Sequence, residues 1–106
     1  MVFAAIFPGQ GSQSVGMMQE LYQSSRKIQN IYEQASSLLG YDLWALTSSD
    51  ANNKLSSTLY TQPAMLVAGV ACWNHYVDNF NIKPSFMAGH SLGEYTALVC
   101  SGAINF

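Results

Sequence analysis

Hydrophobic and polar positions change period several times along the chain, and each change marks an element. Residues 2–7, VFAAIF, are a short unbroken apolar run stopped by Pro8-Gly9. That is the pattern of a strand buried on both faces, at the centre of a parallel sheet. GQGSQSVGM follows, packing three glycines and two glutamines into one loop, so the chain must turn tightly there or bring its amides close to something. Ile28, Ile31, Tyr32, Ala35, Leu38 and Leu39 then recur every three or four residues. With Ser24 or Ser25 as N-cap and Gly40 where a C-terminal cap belongs, the spacing predicts an amphipathic helix.

Asp42 is placed to cap a short turn from Leu43 to Leu46, with Trp44 as a core anchor, and the polar residues 47–58 read as a loop with room for one helical turn. A long helix is predicted from Gln62 or Pro63 to about Phe80. Pro63 suits its first turn, where a missing amide costs nothing, and its apolar character through Trp73 predicts burial. NIKPS breaks the chain, FMAG gives a second short buried strand, and LGEYTALVCSG reads as a helix closed by Ser101-Gly102. Strand, helices, strand, helix implies an α/β layer architecture.

A length of 106 residues suits one domain over 1–106, without repeats or a linker. Composition changes the picture in one respect: 49% of residues are hydrophobic and 9% charged, where an ordinary soluble domain carries about 25% charged. No apolar run reaches the roughly 18 to 20 residues needed to span a membrane; the longest, AMLVAGVACW, ends at Asn74-His75. The expectation is therefore a surface partly covered by a partner or by more polypeptide. The net charge is −2, and the basic residues Arg26, Lys27, Lys54 and Lys83 are dispersed, which argues against nucleic acid. Cys72 and Cys100 have no metal-ligand spacing, and the N-terminus lacks the pattern of a secretory signal, so a reducing cytoplasm is expected.

The candidate chemistry sits at Gly89-His90-Ser91-Leu92-Gly93, a G-x-S-x-G pattern with an apolar strand before it and a helix after it. In that context the serine occupies a sharp turn, and the flanking glycines let strand and helix pass closely. The helix amino terminus aims its free amides at the same place, so the Leu92 amide is positioned to stabilise a developing oxyanion. A second reading stays open. Ser91 followed by Glu94 is also a capping box, in which both side chains only satisfy helix-start amides, and for Glu94 the cap is the favoured role.

FPGQGSQ near the N-terminus, TQPAM in the middle and AGHSLGEYTALV near the end together closely resemble the malonyl-CoA:acyl carrier protein transacylases of fatty acid synthesis and the related acyltransferase domains of polyketide synthases. FPGQGSQ beginning almost at Met1 is similar to the free-standing bacterial type. The resemblance covers essentially the whole chain and about the N-terminal third of the family's catalytic domain. It implies the N-terminal part of an α/β-hydrolase-like large subdomain with parallel strands and a nucleophile elbow, without the family's ferredoxin-like small subdomain. It also implies that Ser91 accepts the acyl group and that the amides of Gln10 and Leu92 form the oxyanion hole. Gly9 and Gly11 would let the Gln10 backbone approach. Gln62 would lie near the acyl pocket, or else be only a helix-start residue before Pro63, and His90 would line the pocket.

A serine nucleophile needs a base, and the chain has two histidines. His90 adjoins Ser91, and neighbouring side chains diverge; His75 lies late on the long helix, where a half-buried or surface histidine is ordinary. In the family the base is a histidine far downstream, and an arginine after the elbow helix pairs with the malonyl carboxylate, both beyond Phe106. The chain is thus expected to be an N-terminal fragment whose partners are malonyl-CoA, acyl carrier protein and the remainder of a transacylase chain, with no metal or bound cofactor. A serine hydrolase such as a thioesterase, or a non-catalytic binding segment, are the rival readings.

Overall fold

The computed structural model describes residues 3–104 and 106. In chain order the elements are β1 (Ala4–Phe7), α1 (Gln19–Ser24), α2 (Arg26–Leu39), α3 (Leu43–Ser48), α4 (Thr58–Asn79), β2 (Phe86–Gly89) and α5 (Gly93–Ser101). The two strands pair in parallel, with Ala4 beside Phe86 and Phe7 beside Gly89. Ser85 N donates to Phe3 O (2.9 Å) and His90 N to Phe7 O (3.1 Å), extending the ladder at both ends. This is the expected α/β layer arrangement, with one correction. The strands were expected to be buried on both faces, β1 at the centre of the sheet, whereas the described sheet has two strands and one covered face. Phe7 is buried and Ala5, Met87 and Gly89 are half-buried, but Ala4, Ile6, Phe86 and Ala88 are exposed, Ile6 by 75% and Phe86 by 68%. Period-two alternation leaves that apolar set facing outward, because no described element packs on it. Val2, part of the expected strand, lies outside the described residues.

The helix of residues 26–39 forms as its spacing predicts. Ser25 Oγ accepts from Ile28 N (3.3 Å), and Gly40 closes the last turn at φ 82° with its amide on Ser36 O (2.9 Å), the left-handed cap that glycine allows. Ile28, Tyr32 and Ala35 of α2 pack with Leu43, Leu55 and the α4 residues Ala64, Val67 and Ala71 to form the main core. That contact ends at Ala35, so Leu38, expected on the buried face, is 73% exposed and Leu39 is exposed as well. Asp42 caps α3 as expected, its Oδ1 accepting from Ala45 N (3.0 Å). Trp44 packs against the core from a half-buried position and stacks on Tyr22 with ring centroids 3.8 Å apart, while its neighbour Leu43 is fully buried. α1 was not foreseen. Its residues carry no apolar period, and it starts from Met18 in a left-handed conformation (φ 70°).

α4 begins four residues before Gln62, at Thr58. Buried Thr61 sets this start: its amide donates to Ser57 O (2.7 Å), and its hydroxyl reaches the same carbonyl at 2.8 Å. Pro63 therefore sits in the second turn, where it withholds the amide that the Leu59 carbonyl would receive. No helix among the described residues is long and apolar enough to cross a membrane. α4 and α5 approach closely where Gly69 faces Thr96; a Cβ added at Gly69 would stand 2.5 Å from Thr96 Cγ2.

Cys100, half-buried on α5, has its thiol pushed up to about 11 by burial and then by Cys72. A thiol raised in the folded chain favours folding fully below its unfolded value of 9.0, and that contribution fades as pH rises through about 11. Because the thiolate is the nucleophile, iodoacetamide at pH 8 is expected to modify Cys100 at least tenfold more slowly in the folded chain than in urea. Peptide mass spectrometry over a time course checks this.

Candidate active site at the carboxyl ends of the strands

Because β1 and β2 run parallel, the segment after Phe7 and the segment after Gly89 leave the sheet at the same end, the end at which open α/β sheets place ligands. Three glycines allow these segments to touch. A Cβ on Gly9 would overlap the His90 carbonyl oxygen and stand 3.5 Å from Leu92 N. One on Gly93 would overlap the Phe7 carbonyl oxygen and lie 2.8 Å from its carbon; one on Gly89 would overlap the Gly93 carbonyl. The G-x-S-x-G glycines are thus required by the contact of strand, loop and helix, and the Gln10 loop lies directly against the serine turn.

Ser91 has φ 56°, in the left-handed region, where a side chain costs roughly 1–2 kcal/mol. Its side chain is exposed. Among the described residues neither hydrogen bond of a capping box forms. Glu94 N donates to the Ser91 main-chain oxygen (3.0 Å), Tyr95 N donates to Leu92 O (2.9 Å), and the exposed Glu94 carboxylate accepts nothing from the Ser91 amide. The capping role favoured for Glu94 is therefore not made in this structure.

The loop after β1 is held by its two glutamines. Gln13 Oε1 accepts from the amide of Gly11 (2.7 Å), which sits at φ 108°. Gln10 Nε2 donates to Thr58 Oγ1 (2.9 Å), whose hydroxyl in turn reaches Gln10 Oε1 at 3.2 Å. Both side chains are engaged, while the main-chain amides of Gln10 and Leu92 donate to no protein acceptor among the described residues. Such free amides are the donors that an oxyanion requires.

Gln62 lies one turn beyond Thr58 on the same side of α4, and two turns further along that side Gly69 meets Thr96 of α5. Gln62 is exposed at the end of α4 nearer the Gln10 loop. His90 is exposed at the end of β2, with its backbone bonded at both sides: its amide to Phe7 O and its oxygen to Gly93 N (3.0 Å). His75 lies thirteen residues beyond Gln62 on α4, about 20 Å along the axis at 1.5 Å per residue. Its helix position takes it away from the serine. Sequence reasoning missed Gln13 and Thr58. The i, i+3 pair of glutamines around glycines was a local hint for the first; nothing local marks Thr58, which is 48 residues from its partner.

Comparison with known proteins adds independent findings. The family model described as an acyl transferase domain matches residues 3–106. A malonyl CoA-acyl carrier protein transacylase of Salmonella typhimurium is 52% identical over 104 residues, 98% of this chain and 34% of that protein. The solved malonyl CoA-acyl carrier protein transacylase of Coxiella burnetii superposes with a TM-score of 0.94 at 48% identity, over 99% of this chain and 33% of that one. A malonyl-transacylase solved in complex with a type II polyketide synthase acyl carrier protein is also similar, with a TM-score of 0.93 and 48% identity over 99% of this chain and 34% of that one. The chain spans about a third of the length of these relatives.

Proposed function

This chain belongs to the acyl transferase domain family, and on that premise we propose that it carries the nucleophile half of an active site that moves malonyl from coenzyme A to acyl carrier protein in fatty acid synthesis. Ser91 is the acyl acceptor on a nucleophile elbow, in the N-terminal part of an α/β-hydrolase-like subdomain. The amides of Gln10 and Leu92 are the oxyanion hole, and Gln62 and His90 line the acyl pocket. One observation supports this reading above the others: an exposed, uncapped hydroxyl at a left-handed φ of 56°, beside a loop held against it by close glycine contacts.

In the first step Ser91 Oγ attacks the thioester carbonyl, its proton passes to a base, and the tetrahedral oxygen receives hydrogen bonds from the two amides. Collapse releases coenzyme A and leaves a malonyl-serine ester. In the second step the pantetheine thiol of the carrier protein attacks that ester and regenerates the serine. No metal or resident cofactor enters this scheme. The exposed thiol of Cys72 suits a reducing cytoplasm.

The proton acceptor in this scheme is neither of the chain's own histidines, since His90 adjoins the nucleophile and His75 stands far along α4. Relatives three times as long have room for the base. The uncovered apolar sheet face at Ile6 and Phe86 supports the remainder of such a chain as the natural partner of this one. Purified 106-residue protein given malonyl-CoA and holo acyl carrier protein is therefore expected to show no detectable turnover. Added imidazole, a diffusible substitute for the base, is expected to promote transfer in the parent chain and not in Ser91→Ala. Robust turnover without imidazole would overturn the assignment of the base, and equal transfer by Ser91→Ala would overturn that of the nucleophile.

A further inference from the structure

We infer that Thr58, at the start of α4, is a positioning residue for the Gln10 amide: its hydroxyl clamps the Gln10 side chain and so fixes the loop that aims this amide at the acyl oxygen. The inference rests on the proposed role of Ser91. The loop from Pro8 to Ser12 is exposed apart from Gly9 and includes Gly11 at φ 108°, so it has little packing of its own to define it. Beyond the tight fit of Gly9 and the bond from Ser12 N to Gly9 O (3.3 Å), two glutamine side-chain contacts define it. The contact of Gln13 with Gly11 N is local and curls the loop on itself. The contact of Gln10 with Thr58 is the one that ties the loop to a distant helix, with donor and acceptor on each side satisfied by the other (2.9 and 3.2 Å).

Thr58 is in turn fixed, because α4 begins there through the bonds of buried Thr61 to the Ser57 carbonyl. A rigid helix start therefore holds the amide group of Gln10, and the amide group holds the main chain next to Leu92 N. Displacements on the order of 1 Å in such a donor cost about a hundredfold in rate when complete, so loosening one anchor of the loop is expected to cost about tenfold.

The test uses the whole chain with malonyl-CoA as acyl donor in imidazole buffer, the imidazole standing in for the base, with the rate of Ser91 acylation followed by mass spectrometry and the order of the Gln10 amide by heteronuclear NOE. Thr58→Val keeps the shape of the side chain and removes the hydroxyl; Thr58→Ser restores the hydroxyl. The expected result is about tenfold slower acylation and a lower NOE at Gln10 in Thr58→Val, with both recovered in Thr58→Ser. An unchanged NOE at Gln10 in Thr58→Val overturns the proposal. So does a lowered NOE with an unchanged rate, provided Ser91→Ala is unreactive; in that case the nucleophile assignment stands alone. If Ser91→Ala is labelled as fast as the parent chain, the reading of Ser91 falls and the role of Thr58 falls with it.

Discussion

A Gly93→Ala chain is expected to lose about 3 kcal/mol or more of stability, near the upper end for overpacking a well-fitted contact, and to unfold at a much lower urea concentration. The added methyl has nowhere to go: it would overlap the Phe7 carbonyl oxygen and press on the Pro8 oxygen at 3.1 Å. Both are main chain, and the Phe7 oxygen is held in the β1–β2 ladder by the His90 amide. The strain cannot be relieved by a side-chain rotation, so β1 must separate from α5 or the helix must shift. Gly102→Ala is the control. That glycine caps α5 at φ 86° with open space around it, so alanine there costs only the conformational penalty of about 1 kcal/mol. If Gly93→Ala unfolds at the same urea concentration as Gly102→Ala, the close junction of strand and helix is not what holds the serine turn.

The second large effect concerns Ser91 and pulls stability and chemistry in opposite directions. Ser91→Gly is expected to gain roughly 1 kcal/mol, because glycine occupies φ 56° without the steric cost a side chain meets there. The same change is expected to abolish acylation. Ser91→Ala should also abolish acylation while retaining the backbone strain, leaving its stability close to that of the parent. The capping interpretation makes a different forecast: alanine would then lose about 1 kcal/mol, and glycine would lose a few tenths. Urea unfolding of the three chains separates the two. A stability loss in Ser91→Gly would mean that the serine side chain stabilises the helix start and is not held there against a cost.

What the sequence revealed follows the range over which each feature is decided. α2 and α5 were legible because their caps are local: Ser25 and Gly40 bound one helix, and Gly102 closes the other. β1 and β2 were legible as short apolar runs ended by Pro8-Gly9 and by Gly89. Their burial was not, since a continuous apolar strand signals that both faces suit burial and does not supply the element that would cover Ile6 and Phe86. Pro63 misled because proline suits a first turn, yet the start of α4 was decided by Thr61 and Ser57 upstream. Trp44, named as a core anchor, packs against the core from a half-buried position, while the cap at Asp42 turns Leu43 fully into it. At the candidate site, Ser91 and its flanking glycines were readable from the G-x-S-x-G spacing, whereas the place of the Gln10 loop beside them came from the family resemblance. The Gln10 to Thr58 link joins residues 48 apart and had no signal.

The most direct measurement is to incubate the chain with malonyl-CoA in imidazole buffer and locate the adduct by peptide mass spectrometry. A single malonyl ester on Ser91, absent from Ser91→Ala, is the expected result. A chain that stays unmodified, or an adduct that forms elsewhere and persists in Ser91→Ala, would contradict the assignment of this hydroxyl as the acyl acceptor.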